Sequence, residues 1–255
     1  MSGFEAKAFA PVISEIEGPR FAQSLLDAIW QSVAQIDHCS IFQFDPSERV
    51  HHIATASIIS LEGGVRSSER YADGLYAYDP MRAVLRESSG NECIRVYQLK
   101  PQQIRDHCYR RHFAELQTVD RVSMLTRSNR SWYSLNLYRS KASGSFAESE
   151  LAELQDAAPL LAALAKKHTQ MRTMERKLIA NKIEEYLQTV LQPLSRQERS
   201  VCKLMLLGHK SKAIAEQLGL RHNTVLTYRK RAYAKLNVSS QRELFGLCLT
   251  PSAVV

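Results

Sequence analysis

The chain contains no apolar run approaching the ~20 residues that a helix needs to cross a bilayer. Its opening stretch, MSGFEAKAFAPVISEIEG, has neither the basic start nor the unbroken apolar segment of an export signal. Cysteine is sparse: Cys39, Cys93, Cys108, Cys202 and Cys248 are five, an odd number, widely scattered and without a C-x-x-C spacing. That argues against a disulfide framework and for free thiols in the cytoplasm. No G-x-S-x-G, P-loop or dinucleotide fingerprint is present, nor the acidic cluster of a phosphorylated receiver. His107, Cys108 and His112 do not share one helix face, and His51 and His52 point to opposite faces of a strand. The expectation is therefore a non-enzyme without metal or cofactor.

What the chain does have is charge in one place. From Leu194 to the last residue it carries eleven Lys/Arg against three Asp/Glu, whereas residues 1–193 carry 23 of each. The whole net charge of +8 thus lies in the last quarter. At 255 residues the chain is long enough for one large domain and a small one. A basic small domain joined to a neutral large one points to a polyanion, most simply double-stranded DNA.

That last quarter reads as four short helices. Ser195 and Glu198 have capping-box spacing ahead of Val201, Leu204, Met205 and Leu207, with Gly208 as the stop. Ser211 is the expected cap of a second helix burying Ile214, Ala215 and Leu218 and ending at Gly219. Val225, Tyr228, Ala232 and Leu236 form the apolar stripe of a third. Ser240 and Glu243 open a fourth, which carries Leu244, Leu247 and Cys248. A tight glycine turn between the middle two gives a helix-turn-helix, whose second helix enters the major groove.

The ordered pattern LSRQE…LLLGHKSKAIAEQLGLRHNTVLTYRKRAYAKLNVSSQREL resembles the LuxR-type DNA-binding domain over nearly all of residues 194–249. By position, the resemblance implies that Leu226, Thr227 and Lys230 face base edges. It implies that Ser211, Lys212, Thr224, Arg229 and Arg231 contact phosphate. The family usually has Ser where Arg221 stands, which leaves Asn223 as a substitute cap and a further DNA-side residue. Tyr228 reads as packing. Arg231 and Lys235 each read equally as a solvated side chain or a phosphate contact. Such domains commonly pair through the last helix, so Leu244 and Leu247 are candidate homodimer contacts. An activator would also meet RNA polymerase.

Upstream, residues from about Ser149 to Leu191 read as helix, apolar through Leu151, Leu154, Leu161 and Leu164, with Pro159 as a kink or restart. The polar part beyond reads as a connector. The expected bounds are 1–165 for the large domain, 166–192 for the connecting helix and 193–255 for the helix-turn-helix domain. A helix carrying Phe21, Leu25, Ile29, Val33 and Ile36 precedes a hairpin around Asp45-Pro46. A second hairpin runs through Tyr133, Leu135 and Leu137, with helices between the two. The fold class is α+β: an antiparallel sheet with helices on both sides, a connecting helix and a four-helix domain. This element order is similar to GAF-like and autoinducer-binding sensor domains.

In autoinducer-binding relatives an Asp-Pro at the pocket follows a Trp-x-x-x-Tyr at fixed spacing. Here Asp79-Pro80 is present, but those earlier positions hold Arg66 and Arg70. The expectation is another small-molecule effector, in a pocket drawn from Tyr71, Tyr76, Tyr78, Asp79, Trp132 and Tyr133. Asp79 also suits a helix cap with Pro80 at the first helical position. Two readings follow: a dimeric DNA-binding transcription regulator controlled through its N-terminal domain, or a ligand-binding protein or enzyme with a basic localising tail.

Overall fold

The computed structural model describes residues 6–87, 94–189 and 193–249. Cys93, the Cys248 side chain and residues 190–192 of the expected connector lie outside the described residues. The chain divides into two compact units, Met1–Thr173 and Met174–Val255.

The first unit is built on one five-stranded antiparallel sheet of order β2-β1-β5-β4-β3. A short helix α1 (Ala10–Ser14) and α2 (Phe21–Ser32) precede the hairpin of β1 (His38–Phe44) and β2 (Val50–Ser57). Helices α3 (Leu61–Ala72) and α4 (Met81–Glu87) flank a 3-10 turn at Leu75–Tyr78. Then follow β3 (Ile94–Leu99), α5 (His107–Glu115), β4 (Thr118–Ser128), β5 (Ser131–Ser140) and α6 (Glu148–Thr189).

Period-two alternation divides the sheet between two cores. Cys39, Ile41, Val122, Met124, Leu135 and Leu137 face α2 and the first half of α6. Phe42, Phe44, Leu125 and Trp132 face the other way, toward Tyr71, Met81, Tyr109 and Phe113 from α3, α4 and α5. Both expected hairpins form, and helices cover both faces. Helix α2 stops at Ser32, short of Val33 and Ile36, although both are buried beyond its end. Helix α6 runs without a break through Pro159. It stays buried past Ala165, where His168 stacks on Phe21 with ring centroids 4.1 Å apart and Thr169 is fully covered.

The second unit contains α7 (Arg196–Leu206), α8 (Ser211–Leu218), α9 (His222–Leu236) and α10 (Gln241–Leu249). Its interior joins Val201, Met205, Ile214 and Val225 in one cluster and Leu194, Cys202, Ala232 and Leu244 in another. Helix α7 has the expected capping box, Ser195 with Glu198. Gly219 caps α8 in the left-handed region at φ 64°, which glycine enters without a Cβ penalty.

Two expectations change here. Ser211 is the first helical residue of α8 rather than its cap, because the extended residue before the helix is Lys210. Leu244 is fully buried in the unit's own core, so it has no face left for a second copy. Among the described side chains, the apolar surface of α10 comes instead from Phe245, 38% exposed, and half-buried Leu247.

Candidate functional site

Helix α9 divides by angle. Val225 and Ala232, both fully buried, fix its inner edge. At about 100° per residue the opposite edge carries Asn223, Thr227 and Lys230, at i, i+4 and i+7, and all three are exposed. Thr224 and Arg231 flank this row on one side, Leu226 and Arg229 on the other. Leu226 and Arg229 are half-buried, so they contribute less to the outer face than Asn223 does. Tyr228 packs against the Val225 cluster. The Thr227 hydroxyl donates to the Asn223 carbonyl at 2.9 Å, which fixes its rotamer and leaves its lone pairs outward.

Lys235 is neither simply solvated nor outward. Its ammonium donates to Glu198 at 2.8 Å and ties α9 to the capping box of α7. That hydrogen bond, working against burial, holds the Glu198 carboxyl below its ordinary pKa. Apart from Lys235, the exposed cations on α8, α9 and the residue before each are Lys210, Lys212, Arg221, Lys230 and Arg231.

The helix ends differ, as the arginine at position 221 foreshadowed for α9. Helices α7 and α10 begin under serine hydroxyls: Ser195 Oγ accepts from the Glu198 N–H and Ser240 Oγ from the Glu243 N–H. Helices α8 and α9 begin at Lys210 and Arg221 with no side-chain cap, and Asn223 does not serve as one. Their first amide groups lie at the positive end of the helix dipole, beside Lys210 and Arg221, and in α9 the Thr224 amide also donates to the Arg221 carbonyl at 2.9 Å. That combination is chemically suited to a phosphate oxygen.

In the first unit, the six aromatic and acidic candidates do not line one pocket: Tyr71 and Asp79 meet in a buried cluster, and Tyr76 and Trp132 in a separate cleft. Tyr78 is 54% exposed, and Tyr133 lies on the sheet face opposite its neighbour Trp132. Asp79 is fully enclosed and forms a two-pronged ion pair with Arg121, at 2.7 and 3.0 Å. Tyr71 and Tyr109 each donate to the same carboxylate at 2.8 Å, and the Met81 amide donates to its other oxygen at 2.9 Å. Burial alone would raise the Asp79 pKa, but the Arg121 charge and these donors hold it below the ordinary carboxylate value. Asp79 is thus both the start signal of α4 and the counter-charge of a buried arginine. Arg121 lies 42 positions away, and no local spacing marks it as the partner.

A cavity beside this cluster, lined by His38, Ser67, Tyr71, Tyr109, His112 and Tyr138, measures about 10 Å³. That is room for about one water. Burial lowers the pKa of both His38 and His112 to about 4, so each is neutral at pH 7. The space next to Asp79 is filled by the protein itself. Tyr76 and Trp132 instead line a separate, open cleft of about 280 Å³ at the end of the same face. No group of three metal-ligating side chains occurs among the described residues, and no helix among them is long and apolar enough to cross a membrane.

Four short helices with a left-handed glycine between the second and third, and a polar row on the third, define a helix-turn-helix domain. Residues 192–247 match the family described as "Bacterial regulatory proteins, luxR family", and this C-terminal domain is a member of it. An Aeromonas salmonicida protein described as an HTH-type transcriptional regulator is 46% identical over 56 residues, which cover 22% of this chain and 29% of that protein. Among solved structures, the VqsR LBD domain from Pseudomonas aeruginosa aligns with TM-score 0.50 at 17% identity, over 65% of this chain and 96% of its own. CepR2 of Burkholderia cenocepacia, an N-acylhomoserine-lactone-dependent LuxR-family factor, aligns with TM-score 0.49 at 11% identity, over 66% and 96%. At such identity the likeness to VqsR gives the fold of the N-terminal unit alone.

Proposed function

We propose that the protein is a sequence-specific, DNA-binding transcription regulator that acts as a homodimer in the cytoplasm. The Met1–Thr173 unit adjusts its DNA affinity in response to a small molecule. The observation that carries this reading is the outward row Asn223, Thr227 and Lys230 on α9, flanked by exposed cations in a domain of the luxR family. Lys230 donates to guanine acceptors, and Asn223 has the amide geometry that reads adenine. Lys212, Arg231 and the uncapped ends of α8 and α9 hold phosphates. Two such helices about one DNA turn apart read a two-fold related site.

The test is selection of bound sequences from random DNA, with and without residues 194–255. The expected result is enrichment of one two-fold related sequence by the full chain, with affinity falling steeply as salt rises. Loss of affinity on truncation without any enriched sequence in the full chain overturns specific regulation. That outcome favours the alternative of a basic localising tail. RNA polymerase is the expected further partner if the regulator activates, tested by run-off transcription from the selected site.

A further inference from the structure

The geometry points to the cleft at the end of the sheet as a binding site for a small aromatic carboxylate. The inference rests on the reading of the N-terminal unit as the effector-responsive part and names the chemistry of that effector. The cleft, about 280 Å³, lies near the lower end of small-molecule pocket sizes. Its floor is aromatic: Trp132 and Phe44 are each only 7% exposed there, and half-buried Tyr76 forms a wall. Its rim is basic, with Arg82, Arg86, Arg127 and Arg130 converging from α4, β4 and the β4–β5 turn.

The two acids at the cleft do not neutralise this rim. Asp45 spends its carboxylate on its own turn, accepting from the Ser47 amide and hydroxyl, the Arg49 amide and His51. Among the described residues Glu48 pairs with Arg82, at 3.2 Å. Arg86 and Arg130 are exposed and form no ion pair with a described residue. Arg82 lies over the Tyr76 ring at 5.6 Å and Arg127 over Trp132 at 5.8 Å, so guanidinium and aromatic surfaces already alternate. Planar guanidinium groups grip a carboxylate through two parallel hydrogen bonds, and a flat apolar body packs against the aromatic lining.

One local choice has no folding rationale. The two-residue turn Asn129-Arg130 has both residues in the left-handed region, at φ 49° and 65°. Glycine is the low-strain residue at the second position, and a longer side chain costs on the order of 1 kcal/mol there. The chain places an arginine in that position, with its side chain on the cleft.

The test uses the full chain with Trp30→Phe, which leaves Trp132 as the sole tryptophan. Fluorescence titrations employ benzoate, 4-hydroxybenzoate and indole-3-acetate, their neutral amides, and inorganic phosphate. At least one carboxylate is expected to perturb Trp132 with Kd below about 1 mM. Its amide, and the carboxylate on the R86A/R130A variant, should bind roughly tenfold more weakly or worse. Both arginines are exposed, so the thermal midpoint of that variant should stay unchanged. The assignment is overturned if no carboxylate binds below that limit, if the amide binds equally, if phosphate displaces the carboxylate at equal concentration, or if R86A/R130A binds as before. A carboxylate that binds the cleft without changing DNA affinity sinks effector control and leaves the site standing. A different effector that shifts DNA affinity without touching Trp132 does the reverse.

Discussion

The two units place their charges in opposite ways. The first, net neutral by sequence, puts an arginine and an aspartate at its centre, where Arg121 and Asp79 have no exposed surface on their side chains. The second carries the full +8 yet has an almost wholly apolar interior, with Glu198 its one buried carboxylate among the described residues. Enclosed charge is tolerated only when every partner is present, so the first interior acts as a set. Surface cations act nearly independently, so the second unit's outer face can change one residue at a time.

The sharpest way to break this contrast is to remove one member of the set. Asp79→Ala leaves Arg121 enclosed without a counter-charge and should cost about 3–5 kcal/mol in urea unfolding. Both tryptophans lie in the first unit, so their fluorescence reports it selectively. The double variant Asp79→Leu/Arg121→Met should lose less than either single change. A loss equal to the sum would mean the two charges do not act together.

Next in size is pH. His38 and His112 titrate near 4 when folded and near 6.5 when unfolded, both chiefly through burial. The unfolded chain therefore takes up more protons across that window, and stability is lost as pH falls from 6.5 toward 4. The loss is about 3 kcal/mol for each histidine. His112→Gln should flatten the slope of stability against pH in the first unit. An unchanged slope would show that His112 is not neutral in the fold.

On DNA, Lys230→Ala should cost about 1–3 kcal/mol on the selected site and relax its sequence preference. Arg231→Ala should weaken specific and random DNA alike and shallow the salt dependence. Equal losses on both DNAs for Lys230→Ala would refute base reading by that residue.

The smallest effect belongs to Glu198→Gln, about 1 kcal/mol, because the amide still caps α7 but no longer pairs with Lys235. Since the folded pKa of Glu198 is depressed, its contribution is complete above the ordinary carboxylate range and is lost as pH falls through the folded value. Thermal unfolding followed by circular dichroism should show this difference at pH 7 and not in strong acid.

The second unit was largely legible in the sequence because its determinants are local. Capping boxes, left-handed glycines and a stripe of Val225, Ala232 and Leu236 need no knowledge of distant residues. Its errors were also local: a serine one position inside α8 looked like a cap, and Leu244 turned inward. In the first unit the hairpins and flanking helices followed from periodicity, but β3 was missed. That strand is an edge, exposed at Ile94 and Arg95, so its alternation is weak. The Asp79–Arg121 pair and the arginine cleft were invisible for a different reason. Each gathers residues from strands and helices far apart in the chain, and no spacing rule encodes such a meeting.

The bare start of α8 has a consequence for the free protein. Amide groups without an intramolecular acceptor exchange with solvent protons through the smallest local openings. Deuterium uptake in the unbound protein should therefore be fastest in the first turn of α8 and slower in those of α7, α9 and α10, where the Glu198, Thr224 and Glu243 amides have acceptors. A phosphate oxygen seated on those amides would slow exchange at the same positions. A DNA phosphate bound there, as proposed, would complete a helical turn that the chain itself leaves open.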